Sequence, residues 1–425
     1  MQDDSTPRPN SYSPADDAAH STDRPTLVGP WLVYGEHDFD LRDVVFQTGK
    51  YARVVAALHH EGRLDSHARV ATPAPVTLQD VARVHDPAYL DRLVNYAAHG
   101  GAHAVAELEI PCTLDTLRSV ELACGGTIRA VELALANGIG ALHVGGGFHH
   151  AFADHGEGFC VLHDIAIAIR AQTSFVPRPV VILDLDAHQG NGSASLFRGD
   201  ETITTISLHN REIYPFPKVP SDLDIELEPG TNDHEYLEAL ETALVATWHA
   251  LGRTHPAPHD MPAGARARSL LVLVAGADPH HEDRLGGLGL SREGLRERTR
   301  RVLTQASARR VPVAIVLAGG YAPTLEGLVD LHADTARVAH DVWLGLSSKP
   351  SSQQFALVAQ AYCPRVLAEN RLGSRTTRLA PFVELQVIQP PVGPIRSIEL
   401  GVRPLFEDLP LLDHENSIRM HDRRK

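Results

Sequence analysis

The chain has 425 residues, 43% hydrophobic and 22% charged, enough for one large α/β domain whose core needs neither disulfides nor a structural metal. Its formal net charge of -14 supplies no basic field, which argues against direct nucleic-acid binding but leaves a cationic peptide or amine open as substrate. Four cysteines, Cys112, Cys124, Cys160 and Cys363, stand without a CxxC pair, excluding a disulfide framework and a thiolate zinc knuckle.

Residues 1–28, rich in Pro, Ser and Asp, read as a disordered segment without the basic and apolar regions of a signal peptide. No later apolar run is long enough to span a membrane, so a cytoplasmic protein is expected. A single domain over 29–346 follows. Its strand-like runs are "GALHVGG", "PVVILDLD", "TITTISL", "SLLVLVAG" and "VPVAIVLAGG". Between them lie helix-like stretches, "DIAIAIRAQ", "DHEYLEALETALVATWHALGR", "SREGLRERTRRVLTQA" and "TLEGLVDLHADTARVAHDVW". Continuous apolar strands alternating with amphipathic helices predict a mainly parallel sheet covered on both faces. The linker-like "GLSSKPSSQQ" then leads into a C-terminal extension, 347–425, to which no role is assigned.

In an open parallel sheet the binding crevice lies beyond the carboxyl ends of the strands. Four of these strands end in polar groups: His149 and His150 after a triple glycine, Asp184, Asp186 and His188 in "LDLDAHQGNG", Asp278 in "GADPHH", and Tyr321 after "AGG". Asp186 and His188 are two apart, so an extended backbone points both to one side. With Asp278 they form three N/O ligands and leave one position open, the arrangement of a catalytic zinc. The plainer reading is a hydrogen-bonded Asp/His pair capping the next helix, and the arrival of Asp278 and the histidine pair at the same edge weighs against it. The adjacent imidazoles read as ligands or proton carriers, and Tyr321 as a functional phenol or a packing residue. Asp164, Asp184 and Asn191 read as groups that orient imidazoles.

The stretches "GGGFHHAFADHGEGFCVLHDIAIAI", "ILDLDAHQGNG", "GADPHHEDRLGGL" and "LAGGY" resemble the zinc-dependent histone deacetylase superfamily, which also contains acetylpolyamine amidohydrolases and acetoin-utilisation-type proteins. "GGGFHH" with "DLDAHQGNG" is most similar to its class IV branch, and "RVHDPAYL" and "CGGTIRAVELAL" fit the same pattern. The resemblance spans roughly Trp31 to Leu346 and implies the arginase/deacetylase-like α/β fold, with the site at the strand C-terminal ends. It implies that Asp186, His188 and Asp278 bind Zn2+, that His149 and His150 are the tandem general base and acid, and that Asp184 orients His149. Tyr321 is then the partner of the substrate carbonyl, and Phe159 and Tyr214, with Gly158 beside them, form an acyl-lysine tunnel. A structural K+ near Ser207 and Leu208 is a further implication. Asn191 stands where class I enzymes carry aspartate, as in class IV, and an uncharged partner lets His150 hold its proton less tightly.

The activity implied is hydrolysis of acyl-lysine side chains in protein or peptide, acetylated or longer-chain, through a zinc-bound water. A small-molecule amidohydrolase acting on an acetylpolyamine or another acylated amine is the alternative. A zinc-binding scaffold with little turnover is the third reading, disfavoured by the full set of polar groups.

Overall fold

The computed structural model describes residues 31–35, 48–64, 70–172, 175–253 and 266–345. The expected disordered segment 1–28 and the extension 347–425, with Cys363, lie outside the described residues. Eight parallel strands form one sheet in the order β2-β1-β3-β8-β7-β4-β5-β6. They are β1 (Leu32–Val33), β2 (Val70–Ala71), β3 (Gly140–His143), β4 (Phe175–Asp184), β5 (Ile203–Asn210), β6 (Leu223–Leu227), β7 (Arg266–Val274) and β8 (Val313–Val316). Every pairing is parallel, which fits the expected α/β class. All five strand-like runs in the sequence are strands of this sheet.

The central strands are apolar on both faces because both faces are covered. Val180 and Ile182 of β4 enter one core, with Leu117 and Val131 of helix α5 (Leu114–Asn137) and Ile165 of α6 (Asp164–Arg170). Val181 and Leu183 enter the other. That core is closed by α1 (Lys50–His60), α8 (Asp233–Leu251), α9 (Arg292–Arg309) and α10 (Leu325–Trp343), the last three being helices the periodicity predicts. Smaller helices complete the chain order, α2 (Leu78–Val81), α3 (Pro87–Ala98), α4 (Val105–Leu108) and α7 (Asn191–Leu196).

Local chemistry sets the helix ends. Thr113 and Thr116 form a reciprocal capping box at the start of α5, and Gly138 ends it in a left-handed conformation. Asn232 and Glu235 form the same kind of box on α8. Inside α5, Gly126 has no room for a side chain: a Cβ would lie 2.2 Å from His143 Nε2. The helix therefore approaches the carboxyl end of β3 directly.

Helix α9 is highly charged, yet Arg298 on it is fully buried. Its Nη1 donates to Leu185 O at 3.1 Å and Gly276 O at 2.9 Å, joining the segments that follow β4 and β7. Truncating the side chain strands Gly276 O, leaves Leu185 O only the longer bond of 3.4 Å from the Tyr236 hydroxyl, and opens a void. Arg298→Ala is therefore expected to cost about 3 kcal/mol in a denaturant titration, mostly from stranded buried acceptors.

Candidate active site

The four adjacent central strands β3, β8, β7 and β4 end on one edge, and the polar residues singled out in the sequence come from the segments that follow them. Burying aspartates at a strand end is tolerable only if their oxygens are satisfied. Asp186 accepts from Gly319 N at 2.9 Å through Oδ2 and from His188 N at 3.0 Å through Oδ1. Asp278 Oδ1 accepts from Ala187 N at 2.9 Å. Asp278 thus staples the end of β7 to that of its neighbour β4, and Asp186 ties the end of β4 to that of β8 across β7. His188 Nδ1 lies 3.2 Å from Asp186 Oδ1 and 2.9 Å from Asp278 Oδ2, so the three side chains meet at one point.

Two glycines make room for that meeting. A Cβ on Gly276 would lie 2.2 Å from Asp186 Oδ2, and one on Gly319 would lie 2.6 Å from Asp278 Oδ2. Donor atoms of Asp186, His188 and Asp278 all fall within 4.8 Å of one another, and all three residues are buried. Burial, followed by the charge of Asp186, pushes the Asp278 carboxyl up to about 8. Two buried carboxylates and an imidazole without thiolates are a donor set that a borderline divalent cation such as zinc fits. A second gathering, His280, His281 and Glu282, lies just beyond Asp278 on the same loop. There His280 Nδ1 accepts from Glu282 N, which directs the ring proton to Nε2 and leaves no free lone pair on the imidazole.

The tandem histidines are built on a turn held by Asp164. Its Oδ1 accepts from Phe148 N at 2.7 Å, and its Oδ2 from Gly147 N at 2.9 Å and from the Thr127 hydroxyl at 2.5 Å. The rings of His149 and His150 lie 4.1 Å apart. His149 Nδ1 pairs with Asp184 Oδ2 at 2.6 Å, and His150 Nδ1 with Asn191 Oδ1 at 2.7 Å. The two imidazoles differ sharply in basicity. Burial opposes charge on His149, but the carboxylates of Asp184 and Asp186 outweigh it and raise its pKa to about 9. For His150, burial and then the neighbouring His149 and His188 all lower the pKa, and it falls well below the ordinary imidazole range.

A recess of about 310 Å³, counted to its open mouth, lies above these groups. Its lining includes Phe148, Gly158, Phe159, His149, His150 and Tyr321. Gly158 has φ 54°, and a Cβ there would lie 2.6 Å from His150. Phe159 follows it at φ 66°, a left-handed conformation unusual for a bulky residue and held at the wall of the recess. The ring of Tyr321 is 6.3 Å from that of His188 and 6.1 Å from that of Phe159. Burial, followed by the charges of Asp186 and Asp278, keeps its phenol protonated far above the ordinary range. The Tyr214 ring stands edge-on to His150 at 4.9 Å and lies 6.4 Å from that of His188. Ser207, where the resemblance implies a potassium ion, is engaged with His209 Nδ1 at 2.9 Å, and that expectation gains no support.

Sequence reasoning did not single out several groups that shape the site. Asp283 accepts from Tyr321 N at 2.5 Å, and from Leu285 N and Gly286 N at 2.9 Å each. Lys50 on α1 is fully buried in the field of Asp278, Asp186 and Asp283. Glu157 bonds Asn191 Nδ2 and the Tyr214 hydroxyl through one oxygen. The acidic character of "DRLGG" and "HGEGFC" was the only signal for Asp283 and Glu157.

A parallel α/β sheet that collects buried acids, imidazoles and a phenol at one recess defines an enzyme of the hydrolase class. A histone deacetylase domain matches residues 44–335, and the chain belongs to the histone deacetylase family. An uncharacterized protein of Picosynechococcus is 36% identical over 261 residues, covering 61% of this chain and 81% of the relative. Histone deacetylase 2 of Arabidopsis thaliana is 32% identical over 284 residues, covering 65% of this chain and 69% of that protein. Among solved structures, the HD domain of HDA15 matches with a TM-score of 0.58 at 19% identity, over 74% of this chain and 90% of that one, a likeness of fold. Among the described residues no helix is long and apolar enough to cross a membrane.

Without a cation the site holds extra protons, which fixes the sign of its pH dependence. His149 at about 9 and His188 at about 10 stay charged in the fold above the ordinary 6.5, and Asp278 stays neutral up to about 8. Between pH 6.5 and 8 these three groups bind more protons in the native state than in the unfolded chain, so their contribution to stability falls as pH rises. Denaturant titrations of metal-free protein across that window check the slope, and loading with zinc is expected to flatten it because the cation replaces the protons.

Proposed function

We propose that this protein is a metal-dependent amidohydrolase that removes the acyl group from acyl-lysine side chains of protein or peptide. The observation that carries the reading is the convergence of Asp186, His188 and Asp278 beside two imidazoles of opposite basicity under one recess. Asp186, His188 and Asp278 would hold zinc, which when bound would polarise the amide carbonyl and lower the pKa of water toward neutrality.

The chain's own groups do the rest. With both Nδ1 atoms engaged, His149 and His150 present Nε2 to the recess. His150, neutral, accepts the proton of the attacking water, and the proton it then carries passes to the nitrogen of the leaving amine as the carbon–nitrogen bond breaks. The His149 imidazolium, 4.1 Å away between ring centres, makes the protonated His150 a stronger acid. The Tyr321 phenol, kept protonated by its surroundings, donates to the developing oxyanion. Phe148, Phe159 and Gly158 line a recess suited to an extended side chain. Glu109, which accepts from Gly158 N at 3.2 Å, and Glu157 place carboxylates near the mouth, favouring an amine-bearing substrate. The same charges favour an acylated small amine as the second reading. The domain proposed for this activity is 29–346.

A panel of acyl-lysine peptides of different chain length and acylated polyamines, offered to the zinc-loaded protein, tests the proposal. Turnover is expected on a peptide member, abolished by Asp278→Ala and lowered about 10² to 10³-fold in kcat by Tyr321→Phe. Preference for a polyamine would move the assignment to the second reading, and stoichiometric zinc with no turnover on any member would refute both.

A further inference from the structure

The side-chain amide of Asn191 faces two ways. Its Oδ1 accepts from His150 Nδ1 at 2.7 Å and from Gly192 N at 3.1 Å, while its Nδ2 donates to Glu157 Oε1 at 2.5 Å. The same Glu157 oxygen accepts the Tyr214 hydroxyl at 2.7 Å, and the Tyr214 ring rests edge-on against His150 at 4.9 Å. Glu157 thus reaches one imidazole by two routes, through an amide and through a phenol.

A carboxylate only accepts, so the Asn191 amide must turn its NH2 to Glu157 and its carbonyl to His150. A carbonyl at 2.7 Å in turn obliges His150 to carry its proton on Nδ1, which leaves the Nε2 lone pair open to the recess. With the amide reversed, its NH2 would face His150 Nδ1, the ring proton would move to Nε2, and the imidazole would have nothing with which to accept a proton from water. We propose that Glu157 is a positioning residue for His150: through Asn191, whose carbonyl Gly192 N also holds, it biases the ring tautomer, and through Tyr214 it holds an aromatic ring against the same imidazole. The inference rests on His150 as the proton acceptor, but the tautomer belongs to the resting protein and is read without substrate. The geometry also defines which side chain 191 can carry. An aspartate there would set a second carboxylate where Glu157 Oε1 now receives a hydrogen bond of 2.5 Å.

The Glu157 side chain is 28% exposed, so its removal opens no core cavity. In zinc-loaded protein with isotope-labelled histidine, the ring-nitrogen chemical shifts of His150 report the tautomer directly. The expected result is Nδ1–H in the parent, the same in Glu157→Gln, whose amide oxygen still accepts from both partners, and a mixture with Nε2–H in Glu157→Ala. On the preferred substrate, Glu157→Ala is expected to lower kcat about tenfold with a smaller change in KM. Asn191→Asp should be damaging beside Glu157 and recover in the Asn191→Asp/Glu157→Gln double variant, in which one of the two carboxylates is gone. His150 remaining wholly Nδ1–H in Glu157→Ala overturns the proposal, as do independent effects of the two substitutions on kcat. A tautomer change in a protein that hydrolyses nothing would support the positioning role while refuting the functional reading, so the two failures are distinguishable.

Discussion

The architecture of the site rests on a repulsion: two carboxylates, Asp186 and Asp278, share a buried space with one imidazole between them. Nothing in a hydrophobic sheet edge favours such a pair, because burial and like charge both work against ionisation. The protein sustains it with three backbone N–H groups, those of Ala187 and His188 after β4 and of Gly319 after β8. It also surrenders side-chain volume at Gly276 and Gly319, where any Cβ would strike a carboxylate oxygen. The parallel sheet makes this arrangement feasible, since β8, β7 and β4 are neighbours and their ends arrive together.

Around that pair the structure separates the basicities of two adjacent imidazoles. The difference comes from partners: His149 has Asp184 and lies near Asp186, whereas His150 has a neutral amide and two imidazoles for neighbours. Adjacent residues in sequence would otherwise share much the same surroundings. The chain assigns each a different orienting group, Asp184 at the end of β4 and Asn191 at the start of α7, and the turn secured by Asp164 presents both.

Much of this was legible in the sequence, for definite reasons. Strands buried on both faces give unbroken apolar runs, so β4, β7 and β8 announce their own ends, and Asp184, Asp186, His188, Asp278 and Tyr321 stand directly after them. Strands β1 and β2, of two residues each, are too short to show a pattern, and the half-exposed "LDIEL" of β6 lacks an apolar run. Lys50 and Arg298 sit on helices whose amphipathic pattern marks such residues as surface. Only the packing of α1 against α10, and of α9 against α8 and α10, places them inside. The position of Tyr214 depends on the path of the loop after β5, which no spacing rule fixes; its ring lies 4.9 Å from that of His150 and 6.4 Å from that of His188.

One loop deserves a mechanical reading. Asp278 begins it and Asp283 lies five residues on, receiving the backbone N–H of Tyr321 from the neighbouring strand end. The carboxylate that meets His188 and the phenol that faces the recess therefore hang from a common bracket. A shift of that loop carries both together and preserves their spacing. The rim at Glu157 and Tyr214 is pinned elsewhere. Entrance and floor are thus linked by two separate ties: Asp283 joins the phenol to the loop of Asp278, and Glu157 joins the rim to His150 through Asn191.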